Sequence, residues 1–229
     1  MNKKIYLDPG HGGLDSGAVN GKRLEKNDNL RLAKAVREKL KMQGYTVLLT
    51  READNENPSL EARIGAANAA KADLFISLHR NSFTTPSANG IEIWVRYNNH
   101  VAAAAEMLES LAKAPHQSNR GVKIGNYRVL HNAQMPAMLL EDGFISNTHD
   151  NELFDKFFDD YATAIAKGAL NALGEEWTES GEADYKPLYR VQVGAFTAKE
   201  NAEAFLETVR NMGLAAFIVA PETVYNEEG

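Results

Sequence analysis

Short apolar segments alternate with longer helical segments along most of the chain, and this alternation limits the fold more than any other feature. The apolar segments, which are typical of β-strands, are 5–7, 45–50, 74–78, 91–95, 127–130 and 137–140. The segments that place apolar side chains at helical spacing are 27–43, 60–71, 101–113 and 150–173. Strands that alternate with helices favour a mostly parallel, twisted sheet with helices on both faces. The sequence therefore predicts an α/β fold.

A smaller pattern follows at the C-terminal end of the chain. Residues 175–187 are acidic and contain Gly, Ser and Thr, which is typical of a linker. Beyond them, a strand, a helix and a second strand are predicted at 189–193, 201–212 and 216–219. We therefore predict a main domain at 1–174, a linker at 175–187 and a small C-terminal βαβ segment at 188–229. At about 40 residues, this segment is too short to build a secure core alone.

Composition excludes several kinds of partner and site. The net charge is −6 at pH 7 and no basic stripe is visible, so nucleic acid is not expected as a partner. No apolar run approaches the roughly 18–20 residues that a membrane span requires. The sequence has no cysteine, so a zinc site would use His, Asp or Glu. No signal-like apolar segment precedes the first strand, so we expect synthesis in the cytoplasm and another route to any substrate outside.

A glycine-rich turn, Asp8-Pro9-Gly10-His11-Gly12-Gly13, follows the first apolar segment. Glycines let the backbone turn sharply and leave one side of His11 open. A histidine at the carboxyl end of a buried strand lies where open α/β sheets bind ligands. Because glycine-rich strand-to-helix turns also bind phosphate, the motif alone leaves both a catalytic and a phosphate-binding role open.

Three further side chains are expected near the same edge of the sheet. His79 follows the segment 74–78, Glu141 follows 137–140, and Glu25 stands just before the first helix. Two histidines and one carboxylate with an open fourth position commonly hold hydrolytic zinc, and a further carboxylate can act as general base. Each residue also has a purely structural interpretation. Glu25 could be a solvated helix-start residue, His79 a strand-end histidine bonded to backbone, and Glu141 an exposed turn residue.

The remaining histidines and the longest helical segment are predicted to have structural rather than catalytic roles. We expect surface or supporting positions for four histidines: His100, His116, His131 and His149. Of these, His131 should lie nearest the site. The segment 150–173 carries its aromatic and aliphatic side chains mostly on one face. This pattern indicates core packing rather than a ligand site.

Four motifs, taken in order, resemble the zinc-dependent N-acetylmuramoyl-L-alanine amidases of the amidase-3 family, which occur as bacterial autolysins and phage endolysins. The resemblance covers about residues 1–174, and its motifs are 8–13, Glu25, 77–82 and 141–147. It implies that the chain hydrolyses the amide between the lactyl group of N-acetylmuramic acid and the L-alanine of the stem peptide in peptidoglycan.

The resemblance also implies the roles of individual residues. His11, Glu25 and His79 match the zinc (Zn²⁺) ligands of the family, and Glu141 matches its catalytic glutamate, which serves as general base and then general acid for a zinc-activated water. The sequence departs from the family at Ser82, where alanine is frequent, and in the size of Arg80. We expect these two side chains to shape the groove beside the metal.

The C-terminal segment resembles the start of a sporulation-related repeat (SPOR) domain, a family that binds glycan strands lacking stem peptides. The residues that carry this resemblance are 189–196 and the helix followed by Gly213. The family's domain is about twice as long. Three interpretations therefore stay open: a partial cell-wall-binding module, a segment that pairs with a second copy in a homodimer, or an appendage without binding activity.

Two other functions compete with the amidase prediction. The first is a catalytically silent peptidoglycan-binding protein, which is disfavoured because all four key residues are present. The second is a phosphate or nucleotide binder, which is disfavoured because the chain lacks a P-loop lysine and a G-x-G-x-x-G fingerprint. For an amidase without a signal segment, we expect access to the wall through a phage holin or through lysis of the cell.

Overall fold

A computed structural model describes residues 3–113, 117–178, 194 and 196–212. Contacts between Cα atoms divide the chain into a body, Met1–Tyr185, and a C-terminal unit, Lys186–Gly229. Within the described residues, none of the helices is both long and apolar enough to cross a membrane.

Six strands form a single sheet in the body. Their order across the sheet is β4 (Thr46–Leu49), β1 (Lys4–Pro9), β5 (Leu74–Asn81), β8 (Ala137–Phe144), β6 (Ile91–Val95) and β7 (Asn119–Ile124). The first four strands in this order are parallel. Strand β6 runs antiparallel to β8, and β7 runs parallel to β6. A small hairpin of β2 (Val19–Asn20) and β3 (Arg23–Leu24) follows the glycine-rich turn.

Helices cover both faces of this sheet. The body contains α1 (Glu25–Met42), α2 (Leu60–Ala69), α3 (Val101–Lys113), α4 (Thr148–Lys156), α5 (Phe158–Ala172) and two 3-10 turns, Asn98–His100 and Arg128–Leu130. Residues of α1, α3 and α5 pack with the sheet in the larger apolar core. Residues of α2 and the second 3-10 turn form a smaller core on the other side. The predicted mostly parallel sheet with helices on both faces is confirmed.

Strand alternation separates these two cores and positions the polar side chains. In β5, Leu74, Ile76 and Leu78 belong to the larger core, whereas Phe75 belongs to the smaller one. Successive side chains of a strand point to opposite faces, so His79 shares the face of Phe75. By the same rule, Glu141 in β8 shares the face that carries the smaller core.

Several boundaries differ from those predicted. His79 and Glu141 lie inside β5 and β8, because backbone pairing with neighbouring strands continues past the apolar residues. Glu25 is the first residue of α1, and the segment 150–173 is divided into α4 and α5 at Phe157. The sequence has no proline or glycine at that break, and apolar residues keep their helical spacing on both sides of it. The sequence therefore contains no sign that the helix would be divided.

Two predictions between residues 115 and 130 are wrong. No strand is predicted between residues 113 and 127, but the structure has β7 there, an edge strand with no buried side chain and therefore with little apolar signal. The predicted strand at 127–130 is the 3-10 turn Arg128–Leu130, whose Val129 and Leu130 are buried against α2. Four residues are too few for apolar content alone to distinguish a strand from a helical turn.

In the C-terminal unit, the structure describes one helix, α6 (Lys199–Asn211), close to the predicted 201–212. The rings of Phe196 and Phe205 lie with their centroids 5.3 Å apart. The predicted strands at 189–193 and 216–219 lie outside the described residues. At the start of the predicted linker, Trp177 packs against the larger core of the body.

Candidate active site

The side chains of His11, Glu25 and His79 meet at one point. The Oε1 atom of Glu25 lies 3.2 Å from Nε2 of His11 and 2.9 Å from Nδ1 of His79. One ligand atom from each residue lies within 4.8 Å of the others, the spacing of a group that could hold a metal ion. The three residues come from the turn after β1, the first turn of α1 and the end of β5.

His11 adopts an unusual backbone conformation, with φ of 62°. This left-handed region is disfavoured for residues with a side chain, so the surrounding contacts must hold it. The Nδ1 atom of His11 lies 2.9 Å from Oδ2 of Asp15. The backbone of Gly12 and Asp15 forms a pair of hydrogen bonds that closes this turn.

Two buried arginines hold the carbonyl groups of the turn. Arg51 donates to the carbonyl oxygens of Pro9 (3.0 Å) and Gly10 (3.1 Å). Arg63 donates to those of Pro9 (2.9 Å) and His11 (2.9 Å). Both are almost fully buried, at 1% and 2% exposure. Sequence reasoning missed these residues, because arginine is usually exposed and nothing in a single sequence marks these two as buried.

Glu25 is fixed by several donors. Its Oε2 atom accepts a hydrogen bond from the backbone N–H of Ala18 (2.8 Å), and its Oε1 atom accepts one from the backbone N–H of Arg80 (3.1 Å). Burial raises the pKa of Glu25, but hydrogen bonds to the two histidines outweigh it and hold that pKa well below its usual range. Burial lowers the pKa of His11, whereas Glu25 and Asp15 raise it, with a net result of about 9.

Glycines provide the space in which these side chains meet. A Cβ atom at Gly10 would overlap the imidazole of His79. At Gly17, a Cβ would lie 2.6 Å from Oε2 of Glu25 and would meet the ring of His11 as well. Close approach of backbone to side chain therefore requires glycine at both positions.

Glu141 stands beside this group in the sheet. It pairs with His79 across β5 and β8 and with Glu92 across β8 and β6. Its Oε2 atom is buried and has no hydrogen-bond partner within the described part of the chain. Burial raises the pKa of Glu141 to about 7; His79 opposes this shift, whereas the charges of Glu25 and Glu92 add to it. A carboxyl group with this pKa can exchange a proton near neutral pH.

A cleft of about 420 Å³ opens beside the histidines. Its lining includes His11, His79, Asp15, Arg63 and Asn57. Polar residues therefore line the cleft next to the two imidazoles. The volume of the cleft is in the range of small-ligand sites.

The expectation that Arg80 shapes the groove beside the metal is wrong. Its side chain is fully buried on the opposite face of the sheet from His79, as strand alternation requires. There it donates to Oδ2 of Asp28 (2.9 Å) and to Oδ1 of Asn151 (2.8 Å). The guanidinium also lies 4.1 Å from the centroid of the Phe154 ring.

The other histidines lie apart from the group of His11, Glu25 and His79. His131 contacts Oδ1 of Asn126 and lines a surface pocket separate from the cleft beside His11 and His79. His100 is buried rather than exposed, and its Nδ1 accepts a hydrogen bond from the backbone N–H of Ala137 (3.3 Å). His149 is exposed, and His116 lies outside the described residues.

Two protein families match the sequence. Residues 5–174 match the family described as N-acetylmuramoyl-L-alanine amidase, and residues 165–220 match the SPOR domain. The chain is similar to the N-acetylmuramoyl-L-alanine amidase CwlM of Bacillus licheniformis, with 35% identity over 222 residues, or 94% of this chain and 84% of the relative. It is also similar to the sporulation-specific N-acetylmuramoyl-L-alanine amidase of Bacillus subtilis (strain 168), with 34% identity over 224 residues, or 94% and 84% of the two chains.

Solved structures share the fold of the body. The catalytic domain of CwlV, an N-acetylmuramoyl-L-alanine amidase from Bacillus (Paenibacillus) polymyxa var. colistinus, has a TM-score of 0.72 at 36% identity, covering 76% of this chain and 99% of that one. An N-acetylmuramoyl-L-alanine amidase from Clostridium difficile 630 has a TM-score of 0.72 at 31% identity, covering 76% and 97%.

Proposed function

The chain belongs to the N-acetylmuramoyl-L-alanine amidase (amidase-3) family of peptidoglycan amidases, and on that premise we propose that it works with a zinc ion held by His11, Glu25 and His79. In this proposal, Glu141 is the general base and then the general acid in hydrolysis of the amide between N-acetylmuramic acid and L-alanine. One observation carries the proposal: two imidazole nitrogens and a carboxylate oxygen meet beside Glu141, whose Oε2 atom is buried and lacks a hydrogen-bond partner among the described residues.

The donor set fits zinc. Two histidines and one carboxylate form a common protein ligand set of hydrolytic zinc sites, with a further position left for water or substrate. Two hydrogen bonds support this set: the backbone N–H of Ala18 donates to Oε2 of Glu25, and Nδ1 of His11 donates to the Asp15 carboxylate. When bound, zinc lowers the pKa of a water toward about 7 and polarises the scissile carbonyl.

Glu141 is suited to move the proton. With a pKa of about 7, it accepts a proton from the attacking water and can return it to the leaving amine. Its paired position beside His79 places it next to the proposed ligands without making it one of them. Its Oε2 atom is buried, so this oxygen is shielded from solvent.

The organisation of the whole chain is part of the same proposal. We infer a catalytic domain at 1–174, a linker at 175–187 and a cell-wall-binding segment at 188–229, supported by the SPOR match at 165–220. Peptidoglycan is the partner of both parts. Two further points stay predictions. One is that the protein reaches the wall through a holin or through cell lysis, and the other is that two C-terminal segments pair in a homodimer.

Digestion of purified cell walls tests the proposed function. New L-alanine amino termini should appear without new reducing ends, should be lost with a chelator and should return with zinc. Cleavage that persists in the chelator would overturn the zinc proposal. Zinc-loaded protein that binds walls of several types but never cleaves them would favour the catalytically silent alternative.

A further inference from the structure

Two basic side chains on β7, Arg120 and Lys123, lie beside the candidate active site; we call this pair the basic edge. The Nε atom of Arg120 and the Nζ atom of Lys123 lie 2.7 Å and 2.6 Å from Oε2 of Glu92. Glu92 is the strand partner of Glu141. The basic edge is thus linked to the proposed general base through a single residue.

Glu92 holds the basic edge in place and leaves it with excess positive charge. Its Oε1 atom accepts hydrogen bonds from Trp94 Nε1 (2.9 Å) and Asn81 Nδ2 (3.2 Å), so four donors satisfy this carboxylate, which is only 3% exposed. Burial raises the pKa of Glu92, but Lys123 and Arg120 outweigh burial and lower it. One negative charge therefore faces two positive charges, and the surplus is a single cation.

The basic edge keeps hydrogen-bonding capacity for a ligand. The side chains of Arg120 and Lys123 are 37% and 34% exposed. An arginine offers five N–H donors and a lysine three. Within the described residues, Arg120 donates hydrogen bonds through Nε to Glu92 and through Nη1 to the carbonyl oxygen of Asn89, and its guanidinium lies 5.0 Å from the centroid of the Phe144 ring. Lys123 donates its hydrogen bond to Glu92. Nη2 of Arg120 and the other hydrogens of the Lys123 ammonium make no further hydrogen bond among the described residues.

Strand pairing fixes where the basic edge lies relative to Glu141. Glu141 pairs with Glu92 on the next strand, and Trp94 pairs with Lys123 on the strand after that. Neighbouring strands are about 4.8 Å apart, so β7 lies roughly 10 Å from β8. An extended peptide spans about 3.3–3.6 Å per residue. A peptide that starts at the scissile amide and runs across the strands reaches the basic edge with about its third residue.

Aromatic side chains border this path. The rings of Trp94 and Tyr127 have centroids 5.2 Å apart, and Nζ of Lys123 lies 5.1 Å from the centroid of the Trp94 ring. Burial raises the pKa of Tyr127, and the negative charges of Glu141 and Glu92 add to this shift. The path from Glu141 to the basic edge is therefore lined by groups that can pack against a peptide backbone.

We propose that the basic edge is a subsite that binds a carboxylate of the substrate's peptide, about three residues beyond the amide that is cleaved. This inference rests on the proposed function. The carboxylate is the matching ligand because its charge complements the surplus cation and its two oxygens accept charge-assisted hydrogen bonds. It could belong to the C-terminus of the peptide or to an acidic side chain, and both present the same group.

Three synthetic muramoyl tripeptides test the proposal. All begin with L-alanine; one has neutral side chains and a free C-terminal carboxylate, the second is its C-terminal amide, and the third is an amide with an acidic third residue. The zinc-loaded wild type should show a kcat/KM about tenfold higher on either acidic compound than on the neutral amide. The compound that gains more identifies the source of the carboxylate.

Two variants connect the preference to the basic edge. Lys123→Met and Arg120→Gln should each lose most of the preference for acidic compounds, measured as the ratio of kcat/KM on an acidic compound to kcat/KM on the neutral amide. The matched control is Lys3→Met, because the side chain of Lys3 is also 34% exposed and paired with a glutamate, Glu175. Lys3 precedes β1, whereas His11 follows it, so Lys3 lies at the other end of this strand from the candidate active site. The Lys3→Met variant should therefore keep the preference.

The outcomes separate the subsite from the proposed function. Equal cleavage of all three compounds by the wild type, or an equal loss on acidic and neutral compounds in the variants, overturns the subsite while leaving the amidase in place. If the wild type cleaves none of them, the proposed function fails. The subsite is then judged by binding of the same compounds to the wild type: tighter binding of the acidic ones supports it, and equal binding overturns it.

Discussion

The Nη2 atom of Arg63 donates a hydrogen bond of 2.9 Å to the backbone carbonyl oxygen of His11, and Nη1 of the same guanidinium lies 2.7 Å from the buried carboxylate of Asp8. One side chain thus stabilises both the strand that leads to the glycine-rich turn and the left-handed residue within it. Because His11 is a proposed zinc ligand, Arg63 is a positioning residue for the metal site.

Replacement of Arg63 should weaken both folding and metal binding. Arg63→Leu leaves Asp8 buried without its cation, which should cost about 3–5 kcal/mol in the free energy of unfolding, measured by denaturant titration. Arg63→Lys keeps a charge for Asp8 but cannot reach all the same acceptors, so stability should partly recover while zinc affinity stays low. Arg128→Leu, at an exposed ion pair, should change stability by about 1 kcal/mol or less. Wild-type zinc affinity in Arg63→Lys would contradict the positioning role.

Substitution of Glu141 by Gln should separate metal binding from turnover. The amide keeps the size of the side chain but cannot accept the proton of the water, so kcat should fall about 10²–10⁴-fold. Zinc content, measured after dialysis, should stay at the wild-type level, since Glu141 is not among the three proposed ligands. Retained turnover would remove Glu141 from its assigned role, and loss of zinc would make it part of the ligand set.

A methyl group at Gly10 should disturb the site by sterics alone. The Cβ of Gly10→Ala would overlap the imidazole of His79, and Gly10 does not have a positive φ that would add backbone strain. The variant should bind zinc less tightly in a chelator competition assay. Gly65→Ala is the control, because nothing lies within 4 Å of its added Cβ in helix α2, and there the change should be neutral or stabilising by up to about 1 kcal/mol. Equal zinc affinity in the two variants would show that His79 can move freely.

Asp142 should make stability depend on pH. Burial raises its pKa to about 7, against a usual value of 3.8, with the charge of Arg80 opposing the shift. The folded state therefore favours the neutral acid. Its contribution to stability is fully present below pH 3.8 and is lost as the pH rises through about 7.

Asp142→Asn should remove that dependence. Between pH 4 and 7, the stability of the wild type relative to the variant should fall by up to about 1.4 kcal/mol per pH unit, measured by denaturant titration at several pH values. The exposed residue Asp159 provides the control, since Asp159→Asn should leave the wild-type slope unchanged. A constant difference between wild type and Asp142→Asn would mean that Asp142 keeps its charge in the folded state.

The sequence was sufficient for the parts of the fold and site that follow from local pattern. Apolar segments predicted the central strands, and polar residues at strand ends and at a helix start predicted that His11, Glu25, His79 and Glu141 would lie near one edge of the sheet. The structure brings one ligand atom from each of the first three within 4.8 Å of the others and pairs Glu141 with His79. The boundaries of β5 and β8 were missed because backbone pairing, rather than the type of side chain, decides where a strand ends.

The remaining parts depend on contacts between residues distant in the chain. Arg51 and Arg63 stand 42 and 52 residues from their acceptors Pro9 and His11, a relationship that no local pattern records. The orientation of Arg80 could have been inferred, because alternation from His79 places it on the opposite face. Strand β7 gave little apolar signal, and its basic residues acquire a role only through Glu92 on the neighbouring strand.

Consecutive residues of β5 and β8 place ionisable side chains on opposite faces of the sheet: His79 and Glu141 lie toward the cleft, whereas Arg80 and Asp142 are buried toward the larger core. A misalignment of one residue in either strand during folding would reverse the faces of the two side chains of that strand. It would bring an imidazole or a carboxyl group among apolar helices and move a guanidinium to the cleft. The polar side chains that line the cleft in the native sheet would therefore raise the free energy of a sheet misaligned by one residue. The residues proposed to carry out the chemistry thus also favour the correct alignment of β5 and β8.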